Sequence, residues 1–201
     1  MFPITTEVPA DIDFVDWHGG IQLYGFWCIK IEDDAWVDRL NRVRSIFHPY
    51  LQTGYQRFHH VTIATVGLMD AERWQVVERQ VKLLRRLNCE KFNVCWEGLS
   101  SYVHSPIVSV ISPDNGLSKL RDSLHLISTG DDSSVFDAHI TLGYYATALS
   151  LEKVPMGGED VDLATLEHLK VDNIQFCTYQ TNTIKGPISV KYIIDLATAL
   201  S

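Results

Sequence analysis

The sequence predicts an α+β fold built on mixed or antiparallel sheets. Three observations point there. Helix and strand patterns interleave along the 201 residues, several strands follow one another with no helix between them, and one strand motif occurs twice. A purely parallel sheet would need a crossover between every pair of strands. Hydrophobic residues make up 46% and charged residues 21%, so the composition is that of an ordinary globular protein with its own core.

Residues 1–22, with Pro3, Pro9, Gly19 and Gly20 among scattered acids, read as an irregular lead-in. A strand follows over residues 23–31 (LYGFWCIKI), rich in aromatic and branched side chains. Asp33 and Asp34 then offer carboxylates to a helix N-terminus, and Trp36, Val37, Leu40, Val43, Ile46 and Phe47 recur at helical spacing until His48-Pro49. The next strand covers residues 58–66 and stops at Gly67. Asp70 caps a helix reaching Leu87, with Trp74, Val77, Val81, Leu84 and Leu87 on one stripe and Arg73, Arg79, Lys82, Arg85 and Arg86 on the other face.

Two strands, residues 92–102 and 107–112, are separated by Ser105-Pro106. A turn at Pro113-Asp114-Asn115-Gly116 opens a helix over residues 117–127, and the polar stretch 128–134 reads as a loop. A strand follows over residues 138–145. A loop with Pro155, Gly157 and Gly158 leads to a short helix over residues 163–169. Two strands, 171–179 and 189–197, end the chain around a turn at Gly186-Pro187.

Seventeen Lys and Arg against twenty-five Asp and Glu leave a formal net charge of −8, which argues against gripping long nucleic acid but leaves room for a small phosphate ligand. The four cysteines (Cys28, Cys89, Cys95, Cys177) lie in apolar or strand-like stretches without ligand spacing, and read as buried reduced thiols. No apolar run approaches the roughly 18 residues of a membrane span, and the acidic start has no basic leader region. A soluble cytoplasmic protein, expected as a monomer and without a membrane partner, follows from these readings.

The repeated motif is the chemical signal. His60-Val61-Thr62 and His139-Ile140-Thr141 each place His, an apolar residue and Thr inside a strand. Alternation sends His60 and Thr62 to one face and Val61 to the other, and does the same for His139, Thr141 and Ile140. Breaking a phosphodiester needs a base for the nucleophile and an acid for the leaving oxygen. Imidazole suits both tasks because its pKa lies near 6.5. Two threonine hydroxyls can donate to the non-bridging phosphate oxygens. This layout calls for no metal and no cofactor.

At these residues the sequence resembles the 2H phosphoesterase superfamily, named for two His-x-Thr/Ser motifs in two duplicated α/β lobes around a central cleft. The resemblance runs from about Leu23 to Ala197. It implies one two-lobed domain over residues 23–201, each lobe a mainly antiparallel sheet with helices outside. It also implies His60 and His139 as catalytic residues and Thr62 and Thr141 as phosphate donors. The implied activity is metal-independent hydrolysis of a 2′,3′-cyclic phosphate or 2′-5′ phosphodiester in a nucleotide or short RNA end. RNA-end or cyclic-nucleotide sensing with little turnover, and RNA 2′-5′ ligation, stay open beside it. Many members carry a basic residue soon after the glycine of the second motif, where this chain has Gly143-Tyr144-Tyr145.

Phe58 and Tyr145 share the face parity of the motif histidines and are candidates for stacking a nucleobase; Tyr144 joins them from near a strand end. His59 points to the opposite face and reads as structural or exposed. His18, His48, His104, His125 and His168 show no metal-ligand spacing.

Overall fold

A computed structural model describes residues 5–9, 18–127, 136–150 and 168–198. The expected loops over 128–134 and 151–162, and the expected helix up to residue 167, lie outside the described residues. Among the described residues eight strands are present: β1 (Leu23–Lys30), β2 (His60–Leu68), β3 (Phe92–Ser101), β4 (Pro106–Ile111), β5 (His139–Thr141), β6 (Leu169–Val171), β7 (Asn173–Gln180) and β8 (Ser189–Asp195). The helices described in full are α1 (Asp34–Phe47), α2 (Ala71–Leu87) and α3 (Gly116–His125), with a 3₁₀ turn at His48–Tyr50 closing α1 at Pro49.

Local signals set the helix boundaries. Asp33 caps α1 by accepting from the Trp36 amide at 3.0 Å, and Asp70 caps α2 by accepting from the Arg73 amide at 2.8 Å. Trp36, Leu40, Val43 and Phe47 form the buried stripe of α1. On α2 the stripe is Val76, Val77, Gln80, Val81 and Leu84, and Leu87 is exposed rather than buried. Among the described residues no helix is long and apolar enough to cross a membrane.

The strands form one sheet in the order β6-β3-β4-β5-β2-β1-β7-β8, and each neighbouring pair is antiparallel. Where a separate sheet in each lobe was expected, two four-stranded halves run into one another. They meet at β2 and β5, the innermost strand of each half, through the single pair Val61↔Ile140. Trp27, Ile29, Val61, Ile63, Ile140 and Leu142 turn one face toward Leu40 and Val43 of α1, Val77 and Leu84 of α2, and Leu120 and Leu124 of α3. The alternate residues Phe26 and Cys28, with Cys177, form a smaller buried cluster against Phe58, Tyr179 and Ile188. All four cysteines are free thiols. Cys28 and Cys177 are buried as expected, whereas Cys89 and Cys95 are only partly buried.

The described part of the lead-in is fastened to the rest of the chain. Thr6 is fully buried, its amide donates to the Leu149 carbonyl at 2.7 Å, and the Leu149 amide returns a bond to Thr6 Oγ1 at 2.8 Å.

One polar side chain inside the core ties three elements together. Gln80 of α2 accepts from the Trp27 indole of β1 at 2.8 Å and donates to the Leu124 carbonyl of α3 at 3.1 Å. Replacing Gln80 with leucine keeps the volume but leaves a buried indole N–H without an acceptor. The expected loss is about 2 kcal/mol. A urea midpoint unchanged from the wild type would show that Gln80 holds nothing in place.

Candidate active site

The β2–β5 junction brings the two motifs together. Antiparallel register around Val61↔Ile140 sets His60 beside Thr141 and Thr62 beside His139. Val61 and Ile140 are fully buried beneath the helices, so alternation sends all four polar side chains to the opposite face. Facing Cβ atoms in such a pair lie about 5 Å apart and diagonal ones about 7–8 Å. The two imidazoles sit on a diagonal, a span that one phosphate can bridge. They are near enough for charge on His139 to lower the basicity of His60.

Both rings are held in the same way. His60 Nδ1 meets the Phe58 carbonyl at 2.9 Å, and His139 Nδ1 meets the Asp137 carbonyl at 2.8 Å. A carbonyl only accepts, so Nδ1 carries the proton in both rings and Nε2 is the nitrogen left for chemistry.

Their surroundings differ. His60 is buried, with Phe26 at 5.4 Å and Phe58 at 5.7 Å between ring centroids. Burial pushes its pKa down to about 4. The charges of Arg57, His139 and His59 add to this, and the Phe58 carbonyl partly opposes them. His60 is therefore neutral at pH 7. His139 is less enclosed. Tyr102 sets its ring edge-on at 4.8 Å, and the Tyr102 hydroxyl donates to Asp137 Oδ2 at 2.6 Å while lying 3.4 Å from His139 Nδ1. Burial and the Asp137 carboxylate both hold the Tyr102 hydroxyl in its protonated form.

The neighbouring strands complete the face. On β1, Lys30 pairs with His60 and Cys28 with Thr62; on β4, Ile107 pairs with Thr141 and Ser109 with His139. Lys30 is ion-paired to Glu32, its Nζ 5.4 Å from the centre of the Phe58 ring. Arg57 comes from the segment before β2 and stacks on Tyr179 at 4.1 Å.

Of the expected aromatic residues, Phe58 is partly buried beside His60, and Tyr144 is half-buried with its ring edge against Tyr55 at 5.6 Å. Tyr145 departs from the sequence expectation. It is fully buried in the main core, and its hydroxyl meets Ser101 Oγ at 2.7 Å, so it cannot stack a base. The reason lies in the backbone. β5 ends at Thr141 rather than at 145, and Gly143 has φ +151°, a conformation other residues rarely adopt. Strand alternation therefore does not carry through to Tyr145. A Cβ on Gly143 would also stand 2.9 Å from Leu51 Cδ1.

His59 faces the helices, with Nε2 3.0 Å from Asn41 Oδ1 of α1. The basic face of α2 lies on the far side of the sheet from the motifs, because the stripe opposite it packs on the same core as Val61 and Ile140. Cavities of about 380 and 330 Å³ open elsewhere, the first around Cys89, Lys91 and Lys119 and the second around Glu32, His168 and Asp172. Neither has a motif residue in its wall.

Three residues of the site were not picked out from sequence. Asp137 stands two residues before His139 and shares its parity, which is a readable signal. Arg57 and Tyr102 lie outside the strands and reach the site through contacts that no local pattern encodes.

Burial of the two adjacent histidines has a measurable cost at low pH. His59 and His60 both have pKa values pushed down to about 4 from an ordinary 6.5, burial being the main cause in each. Between those values the unfolded chain is protonated and the folded one is not, so stability is lost as pH falls through that window. The expected loss from pH 7 to pH 4.5 is on the order of several kcal/mol, read as a falling urea midpoint. A flat midpoint would contradict neutral burial.

No protein-family model matches the sequence, and no curated protein matches it. Solved structures do. LigT of E. coli in its apo form superposes with a TM-score of 0.58 at 15% identity, covering 89% of this chain and 100% of LigT. TT0787 of Thermus thermophilus gives a TM-score of 0.60 at 12% identity, covering 87% of this chain and 98% of that one. A structure described as a phosphoesterase gives 0.57 at 16% identity, covering 87% and 99%. The fold is therefore one that LigT and a phosphoesterase share with this chain over nearly their whole lengths.

Proposed function

We infer that this chain, which folds as LigT does and carries a His-x-Thr motif on each of its two central strands, belongs to the 2H phosphoesterase superfamily. On that premise it is a metal-independent phosphodiesterase that hydrolyses a 2′,3′-cyclic phosphate or a 2′-5′ phosphodiester. The two half-sheets act as lobes, and the motif face is the floor of the cleft between them. The observation that carries this reading is the pair of imidazoles set diagonally at the Val61↔Ile140 junction, each with a threonine beside it and Nδ1 clamped to a carbonyl.

The chemistry follows from the two environments. His60, buried and neutral, takes a proton from water at Nε2 as the water oxygen attacks phosphorus. The bond from phosphorus to the leaving ribose oxygen breaks, and that oxygen takes a proton from Nε2 of a protonated His139. Thr62 and Thr141 donate to the non-bridging oxygens as negative charge builds there. Proton exchange with solvent then resets both rings. Imidazoles do both proton transfers and hydroxyls meet the charge, so no step calls on a metal. The small-substrate reading is supported by the net charge of −8 and by the basic face of α2 lying behind the sheet. LigT itself has been crystallised with 3′-AMP.

The test is turnover of 2′,3′-cyclic nucleotides, 2′-5′ dinucleotides and cyclic dinucleotides in EDTA. Activity with one of the first two is expected to persist in the chelator and to follow a bell-shaped pH profile. The acid limb of kcat/KM should lie well below pH 6.5, because it reports His60 in the free protein. Activity abolished by EDTA and restored by a divalent metal would overturn the acid–base pair.

A further inference from the structure

We propose that Arg57 is the phosphate anchor of this site, holding a non-bridging oxygen of the substrate through its guanidinium edge. The proposal rests on the phosphodiesterase reading for its substrate class, while its geometry stands alone. Arg57 lies in the segment leading into β2, three residues before His60. Its guanidinium carbon is 4.1 Å from the Tyr179 ring centre and 6.0 Å from that of Tyr144. Such a contact holds the guanidinium in place, with the Tyr179 hydroxyl within hydrogen-bonding reach of it, and leaves Nε to find an acceptor elsewhere.

Two features call for an acceptor. Arg57 Nε is buried and has no hydrogen-bond partner, and a buried N–H left unmatched is costly. Nor does Arg57 form an ion pair with a carboxylate among the described residues, although a partly buried cation ordinarily has one. Lys30, a second cation on this face, is already held by Glu32.

The position fits an anion bound between the two motifs. Arg57 is the charged group that His60 feels most strongly. In the absence of a ligand, a cation there works against a protonated His60. With a phosphate between them, the same charge is neutralised by the ligand. A planar fork suits this task better than an ammonium, because it can meet a phosphate through two parallel bonds.

The experiment uses the full chain and two variants, Arg57→Gln and Arg57→Lys, each checked for folding by thermal melting. Binding of inorganic phosphate, 3′-AMP and adenosine is measured by calorimetry at pH 7, and kcat/KM for a 2′,3′-cyclic nucleotide is followed against pH. Arg57→Gln is expected to weaken phosphate and 3′-AMP by about 10- to 100-fold and to leave adenosine within about twofold. Arg57→Lys should fall between it and the wild type, and answers the question if the glutamine variant does not fold. The acid limb should also move to higher pH in Arg57→Gln. The groups that act on His60 are Arg57, the Phe58 carbonyl, His139 of β5 and, from the other face of β2, His59, with Lys30 its cross-strand neighbour on β1, and only Arg57 has been neutralised.

Phosphate binding equal to the wild type, or adenosine weakened as much as 3′-AMP, would overturn the anchor. If the wild type turns over cyclic phosphates and Arg57→Gln does so equally, the anchor falls and the enzyme stands. If phosphate binds through Arg57 but no diester is turned over, the anchor stands and the enzyme reading falls.

Discussion

His60→Ala and His139→Ala are each expected to lower turnover by 10²-fold or more, within the range of about 10²–10⁴ for a positioned acid or base. The two losses arise differently. Removing His60 removes the acceptor for the proton of the attacking water, so the acid limb of the pH profile disappears with it. Removing His139 leaves the ribose oxygen to depart without a proton, so a substrate with a better leaving group should recover much of the lost rate. Both rings serve one step, and the double variant should therefore fall little further than the worse single one. His60 is buried between Phe26 and Phe58, and its alanine variant also leaves a hole. His60→Gln, which fills the space, separates packing from proton transfer. Either alanine variant within threefold of wild-type turnover would sink the two-histidine mechanism.

Ile140→Ala is the second large effect, and it acts on stability. Ile140 is fully buried, pairs with Val61 across the junction and with Val108 of β4, and belongs to the same core as the helices. Cutting such a side chain to alanine costs about 2–5 kcal/mol, the lost burial adding to the cavity left behind. The upper half of that range is expected, because the wall of the cavity is a sheet fixed on both sides and has little freedom to close in. Turnover should also drop at temperatures where the variant is still folded, since His139 and Thr141 flank the altered residue. A loss under 1 kcal/mol, with normal turnover, would mean that the junction tolerates loose packing.

The helices were legible because their signals are local. Asp33 and Asp70 stand where a cap is needed, and the apolar stripes behind them recur at helical spacing. The sidedness of both motifs was legible for a similar reason, since alternation is a property of the strand alone. Pairing between distant strands has no local signature. Hence the join of two half-sheets into one, and the contact of β2 with β5, were out of reach. Strand ends are also hidden where apolar residues run past them. Leu142, Tyr144 and Tyr145 continue the look of β5, but Gly143 turns the backbone and sends Tyr145 into the core. Arg57 and Tyr102 reach the site only because the fold brings irregular segments beside it.

The pairing of Val61 with Ile140 also bears on how errors in assembly are caught. A strand has period two, so sliding β5 by one residue against its neighbours would turn over every side chain on it. His139 and Thr141 would then enter the apolar interior, and Ile140 would face water. Such a slipped state would bury an imidazole and a hydroxyl without partners while exposing one of the largest fully buried side chains of the chain. An out-of-step sheet is thus unstable for the same reason that it is inactive. Molecules that complete the hydrophobic interior have, by that fact, aligned both histidines. A population of well-folded but misaligned chains should not accumulate, and the fraction of active molecules should track the fraction folded.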